Sequence, residues 1–162
     1  MTNRYFAQPY SDHEGFYFSD LEEYREKAAQ LLKSHGVEEY EIQYIDGDKA
    51  ELFEAVRPTQ GDLSKWFETF EPMDEDDTIK AVYMAEYGGW KMADIPDELE
   101  NVSLFEGTKL DYAYSLVDDC GMLSDVPDTV ARYFDYDSYA RDLVLGGDIS
   151  EYRYGEQDYV IS

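Results

Sequence analysis

The chain has 162 residues, with 38 Asp and Glu against 13 Lys and Arg, a formal net charge of −25, yet 43 % of it is hydrophobic. That balance excludes nucleic acid and anionic membrane as direct partners and favours a basic protein surface. The 16 Tyr, 8 Phe and 2 Trp also exclude an unstructured acidic tail, because disordered polyanions lack the apolar surface needed to offset chain entropy.

The charge is spread evenly: thirds of the chain, 1–54, 55–108 and 109–162, carry 13, 13 and 12 acids. Duplex DNA holds one charge per roughly 1.7 Å of axis, so 25 net charges correspond to about 42 Å of duplex. A compact chain of this length is about 40 Å across, so its linear charge density is DNA-like. With Cys120 as the single cysteine, no internal disulfide can form, which fits a reducing compartment. No apolar run is long enough to span a bilayer, and "MTNRYFAQPY" has no secretory pattern, so the expected location is cytoplasmic.

In chain order, "RYFAQPY" and "GFYFS" read as two strands, joined as a hairpin across "SDHEG". "SDLEEYREKAAQLLKSHG" reads as a helix, capped by Ser19 with Glu22 as a capping box and stopped by Gly36. Its stripe is Leu21, Tyr24, Ala28, Leu31 and Leu32. "YEIQYI" alternates as a strand and ends in the turn signal "DGD". In "DLSKWFETF", Leu63, Trp66, Phe67 and Phe70 follow helical spacing behind Asp62 as N-cap. After the break "EPMDEDD", a second helix places Ile79, Val82, Tyr83 and Tyr87 on one side and ends at Gly88–Gly89. "IPDELEN" predicts a short helix with Pro96 in its first turn.

Beyond it, "NVSLFEG" predicts a strand, and "KLDYAYSLVDDCG" a helix burying Leu110, Ala113, Val117 and Cys120. "VPDTVARYF" and "DSYARDLVL" predict two further helical stretches, and "DISEYRYGEQDYVI" a hairpin turning near Gly155. The fold class is therefore α+β: small α/β modules at 1–50 and 101–162 flank a helical middle at 51–100, with a C-terminal β-hairpin.

Chemistry is hard to find. "DEDD" and "DGD" suggest Ca²⁺ loops, but the sixth position from Asp74 is Ile79 and the twelfth from Asp46 is Arg57, where an EF-hand needs Gly and Glu. The two histidines, His13 and His35, and Cys120 form no nucleophile motif, and no Gly-rich phosphate loop occurs. We expect no catalytic residue, no metal site and no cofactor. What stands out are acid concentrations such as "EEYE" and the stretch Glu68–Asp77, which holds six acids and no base. Held rigidly, such an array satisfies a groove that binds phosphates, because phosphate contacts supply most non-specific affinity. Halophilic adaptation would also acidify a surface, and an acidic module for another basic protein, such as a nucleoid or other DNA-binding protein, remains the alternative reading.

"VPDTVARYFDYDSYARDLVLGGDISEYRYGEQDYVI" resembles the C-terminal signature of the ArdA antirestriction proteins, matched at Val126, Pro127, Tyr133, Asp135, Tyr136, Tyr139, Ala140, Arg141, Asp142 and Leu143. "EEYEIQYIDGD", "LSKWFE" and "LDYAYSLVDD" follow the family's order upstream. The N-terminal module lacks the Gly- and Trp-bearing strand of many members. The resemblance implies an elongated three-module protein, dimeric through its C-terminal module and carried by mobile elements. It also implies a B-DNA mimic that occupies the DNA-binding groove of type I restriction–modification enzymes.

The candidate mimetic carboxylates are Glu22, Glu23, Glu26, Glu38, Glu39, Glu41, Glu68, Glu71, Asp74, Glu75, Asp76, Asp77, Asp97, Glu98, Glu100, Asp118, Asp119, Asp125 and Asp128. Pro127, Tyr133, Asp135, Tyr136, Tyr139, Arg141 and Asp142 are read as framework or dimer contacts. Within that motif, Asp137 is expected to pair with Arg141, Asp135 and Asp142 to share a face of one continuous helix, and each tyrosine to bury its ring.

Overall fold

The computed structural model of the chain describes residues 2–162. It is an α+β protein that divides into two compact units, one ending at Leu99 and the other spanning Glu100–Ser162.

In the first unit, alternation makes strand β1 (Arg4–Pro9), with Tyr5, Ala7 and Pro9 turned inward. It is the centre of an antiparallel sheet ordered β2-β1-β3, where β2 is Phe16–Phe18 and β3 is Tyr40–Asp46. Gly15 lies hard against β1, where a Cβ would stand 2.1 Å from the Ala7 carbonyl oxygen. Only glycine permits that approach.

Helix α1 (Leu21–His35) connects β2 to β3. Its cap is Asp20, not Ser19: the Asp20 carboxylate accepts from the Glu23 backbone N–H at 2.8 Å, so the helix starts one residue later than expected. Glu22 thereby loses the capping-box position, and Glu23 pairs instead with Lys27 at 3.6 Å. Gly36, in the left-handed region at φ 66°, ends the helix as expected. Of the α1 stripe, Tyr24 is buried, whereas Leu32 is half exposed at 51 %.

Helix α2 (Ala50–Val56) has no sequence counterpart above. Lys49 caps it without a side-chain bond, and Leu52 and Phe53 are buried. The next segment starts as a 3₁₀ turn (Gln60–Asp62), passes through α3 (Leu63–Lys65) and widens into a π-helix (Trp66–Phe70). Thr59 caps the 3₁₀ turn, and Asp62, at the N-cap position of α3 as expected, makes no cap bond to α3 but bonds back to the Thr59 hydroxyl and N–H to complete a capping box. Helix α4 (Glu75–Glu86), capped by Asp74, buries Ile79 and Val82 as expected, together with Thr78, Ala81 and Met84. Tyr87 at its end is 69 % exposed. Helix α5 (Ile95–Glu98) carries Pro96 in its first turn.

The core of this unit is aromatic. Tyr5 packs edge-on to Tyr44, Trp66 and Phe67 and stacks on Phe18. Trp66 and Phe70 lie parallel at 6.3 Å, both fully buried.

The second unit holds an antiparallel sheet ordered β4-β6-β5, from β4 (Leu104–Glu106), β5 (Ser150–Tyr154) and β6 (Gln157–Ile161). The hairpin β5–β6 turns at Gly155, φ 61°. Helix α6 (Lys109–Asp119) has a full Thr108–Asp111 capping box and buries Ala113 and Val117. Cys120 follows the helix and is exposed, not buried, because the chain leaves the α6 stripe there. A short α7 (Asp128–Ala131) precedes α8 (Tyr136–Leu145), which packs on α6. Leu143, Ile149 and Val160 form the centre, with Phe105, Tyr112, Leu116, Tyr139 and Val144 around it.

Candidate functional surface

The carboxylates are placed by ordinary helix and strand physics. Glu22, Glu23 and Glu26 project from the first two turns of α1, with Glu22 and Glu23 where the helix dipole favours negative charge. Glu38 and Glu39 lie on the loop before β3, and Glu41 takes the outward position between inward Tyr40 and Ile42. Glu75, Asp76 and Asp77 fill the first turn of α4 behind the Asp74 cap. Asp97 and Glu98 lie on α5, and Glu68 on the π segment. In the second unit Glu100 stands at the start, Asp118 and Asp119 end α6, and Asp125 and Asp128 lie on the following loop and the start of α7.

Fifteen of these nineteen side chains are exposed; Glu23, Glu71, Asp77 and Glu98 are half-buried. Cations neutralise few of them. Ion pairs among the described residues include Lys27–Glu23, Lys80–Asp77, Lys109–Glu151, Arg141–Asp142 and Arg153–Asp158. Lys49, another of the scarce cations, turns inward and donates to the Met73 carbonyl at 2.6 Å and the Thr78 hydroxyl at 2.8 Å. Asp118 and Asp119 sit at the negative end of the α6 dipole with no basic residue in the last turn. Local stability does not account for acids placed there.

Glu71 differs from the rest of its cluster. The backbone N–H of Glu71 bonds to the Trp66 carbonyl at 2.8 Å, five residues back, closing the π turn. The Glu71 carboxylate then accepts from the Tyr5 hydroxyl, which itself accepts from the Trp66 indole N–H at 2.8 Å. Burial pushes the Glu71 carboxyl above the ordinary carboxylate value and the fields of Asp48 and Asp20 add to it, while the Tyr5 bond and Lys49 oppose. Burial, and then Glu71, push Tyr5 far up in turn. Glu71 therefore ends an internal relay that fastens the sheet to the π segment.

The sign of the pH effect follows. With its native pKa raised, Glu71 binds more proton in the folded than in the unfolded state, so stability falls as pH rises from 4.5 through the raised value. Glu71→Gln keeps an acceptor for Tyr5 and removes the charge. Its stability–pH curve, measured by urea unfolding, is expected to be flatter across that window, with stability at neutral pH equal to or above the parent's. An unchanged slope would show that this carboxyl is not the titrating group.

The Asp135–Leu143 motif is resolved into separate jobs. Asp135 caps α8, accepting from the Ser138 N–H at 3.0 Å and hydroxyl at 2.6 Å, and these bonds hold its carboxyl below the ordinary value. Because α8 begins at Tyr136, Asp135 and Asp142 do not share one continuous helix. Arg141 turns to Asp142 at 3.9 Å in place of Asp137, both ends being solvent-exposed. Tyr136 stacks on Tyr114 with ring centres 4.0 Å apart, and the Tyr139 ring meets Phe134 edge-on. Tyr133 does not bury its ring: it is 81 % exposed, with Arg132 above it at 6.0 Å. Pro127 starts α7 and its carbonyl accepts from Val130 and Ala131.

The family model for antirestriction protein (ArdA) matches residues 10–158. The chain belongs to the ArdA antirestriction family. A search of curated proteins returned no match. ArdA proteins are inhibitors whose counterparts are restriction enzymes, and the match covers almost all of both units. Among the described residues no helix is long and apolar enough to cross a membrane.

Proposed function

We propose that this ArdA-family chain acts as a B-DNA mimic that occupies the DNA-binding groove of type I restriction–modification enzymes in the cytoplasm. The observation that carries the reading is that fifteen of the nineteen candidate carboxylates are exposed, many of them on the capped helices α1, α4 and α6, with few cations beside them. Rigid placement matters, because a preorganised array loses little conformational entropy when a basic groove closes on it. Acids at the negative end of α6 fit selection for charge over local stability. Of the nineteen candidates, Glu71 contributes to the frame.

The test is displacement of a fluorescent duplex from a type I enzyme. The protein is expected to compete with the duplex, and its binding to weaken steeply as salt rises, since both partners shed condensed ions on contact. Inhibition of cleavage without displacement would end the mimic reading. Binding to a nucleoid protein and not to the restriction enzyme would instead favour the acidic-module alternative.

We further propose a homodimer formed through the second unit, which leaves Tyr114, Met122, Val130, Tyr133 and Leu145 exposed. Sedimentation should give twice the chain mass, falling to one chain for the double variant Tyr133→Glu, Leu145→Glu. A parent chain that sediments as a monomer at micromolar concentration would exclude the dimer.

A further inference from the structure

The only two histidines of the chain, 22 residues apart in sequence, are brought together by the fold. His13 lies in the turn joining β1 to β2 and His35 is the last residue of α1, and their ring centres are 4.8 Å apart at an interplanar angle of 52°. Zinc–imidazole bonds of about 2.0–2.1 Å put each ring centre about 3.2 Å from the ion, so two rings sharing one ion at right-angled to tetrahedral geometry have centres about 4.5–5.2 Å apart. The observed spacing falls inside that range.

A second observation bears on the chemistry of His35. The Ser34 hydroxyl donates its single hydrogen to the Gln30 carbonyl at 2.9 Å. With that hydrogen on Gln30, the 2.8 Å contact to His35 Nδ1 is accepted by Ser34, an arrangement in which neutral His35 carries its proton on Nδ1. Nε2 is left with a free lone pair, and the Ser34–Gln30 pair behind it is the outer-shell support that orients a metal-binding imidazole. His13 has no hydrogen-bond partner among the described residues.

We propose that His13 and His35 form a two-histidine clasp for a borderline divalent transition ion such as Zn²⁺, with water in the remaining positions. Among the described residues no group of three or more His, Cys, Asp or Glu is arranged for a metal, so this site supplies two protein ligands and not a closed cage. Imidazole nitrogen selects Zn²⁺ or Ni²⁺ over the Mg²⁺ that condenses on carboxylates. The bound ion would join the β1–β2 turn to the end of α1. Because it binds the folded arrangement and not the unfolded chain, it would raise the melting temperature. The clasp stands independently of the proposed mimicry, since neither histidine belongs to the candidate carboxylate surface.

The test is calorimetric titration of the full chain with Zn²⁺ in excess Mg²⁺, which saturates diffuse carboxylate binding. It is paired with NMR of the ring protons, readily assigned with two histidines. One ion per chain is expected, with both histidine signals responding together and the melting temperature rising. His13→Gln and His35→Gln should each weaken binding by more than about tenfold, and Ser34→Ala by less, because it removes only the orienting contact. No uptake under these conditions, or uptake that leaves the ring signals and the affinity unchanged in both histidine variants, would overturn the clasp.

Discussion

Changing Glu22, Glu26, Glu38, Glu39, Glu41, Glu68, Glu75, Asp76 and Asp97 together to Gln or Asn is expected to abolish inhibition of a type I enzyme, while each single change does little. All nine are exposed, and none is a helix cap or an ion-pair partner. An exposed charge contributes about 0.2–1 kcal/mol to such a contact. One loss is therefore hard to detect, but nine together amount to several kcal/mol, on the order of 10³-fold in affinity or more. Stability should not fall, because removing like charges relieves self-repulsion in the compact state. Inhibition assays beside melting curves make the separation. If the ninefold variant still inhibits at parent concentrations, charge on this unit is not the recognised feature. If one single change abolishes inhibition, the surface is a conventional hot spot and not a distributed mimic.

Trp66→Ala should be the most damaging single substitution to folding. Trp66 is fully buried, stacks on Phe70, packs edge-on to Tyr5 and Phe53, and donates to the Tyr5 hydroxyl. Truncating a buried tryptophan costs about 3–5 kcal/mol from lost burial and the cavity left behind. The relay through Tyr5 to Glu71 would lose its donor as well. Trp66→Phe separates the two effects: it keeps much of the ring packing and loses the indole donor, at about 1–3 kcal/mol. Denaturant unfolding should rank the parent above Trp66→Phe and that above Trp66→Ala. Equal stability of parent and Trp66→Ala would mean that the aromatic knot is not what holds the sheet to the helices.

The motif around Asp135 was legible as a signature, yet its roles were not. Asp135 is a cap, Tyr136 is a stacking partner and Tyr133 stands in solvent. A signature reports which residues recur together; what each touches depends on where the helix starts. One residue's difference in that start, as at Asp20, changes which side chain caps the helix and which one falls at the capping-box position.

Elements with a strong period or sharp punctuation were determined by the sequence alone. The β1–β2 hairpin, α1 with its Gly36 stop, β3, the Pro96 helix and the β5–β6 hairpin all follow from alternation, helical spacing and turn residues, which act over a few neighbouring positions. The total charge and its even spread were equally plain. Tertiary structure decided other features. Helix α2 lacks a side-chain cap and spans seven residues, too short to persist by propensity, and exists because Leu52 and Phe53 are buried. The π turn, the inward path of Glu71 from an acidic run, the exposure of Cys120 and the meeting of His13 with His35 all depend on partners distant in the chain. Local pattern carries no information about which distant surface will cover a side chain, and that coverage is what separates a carboxylate offered to a partner from one that holds the frame.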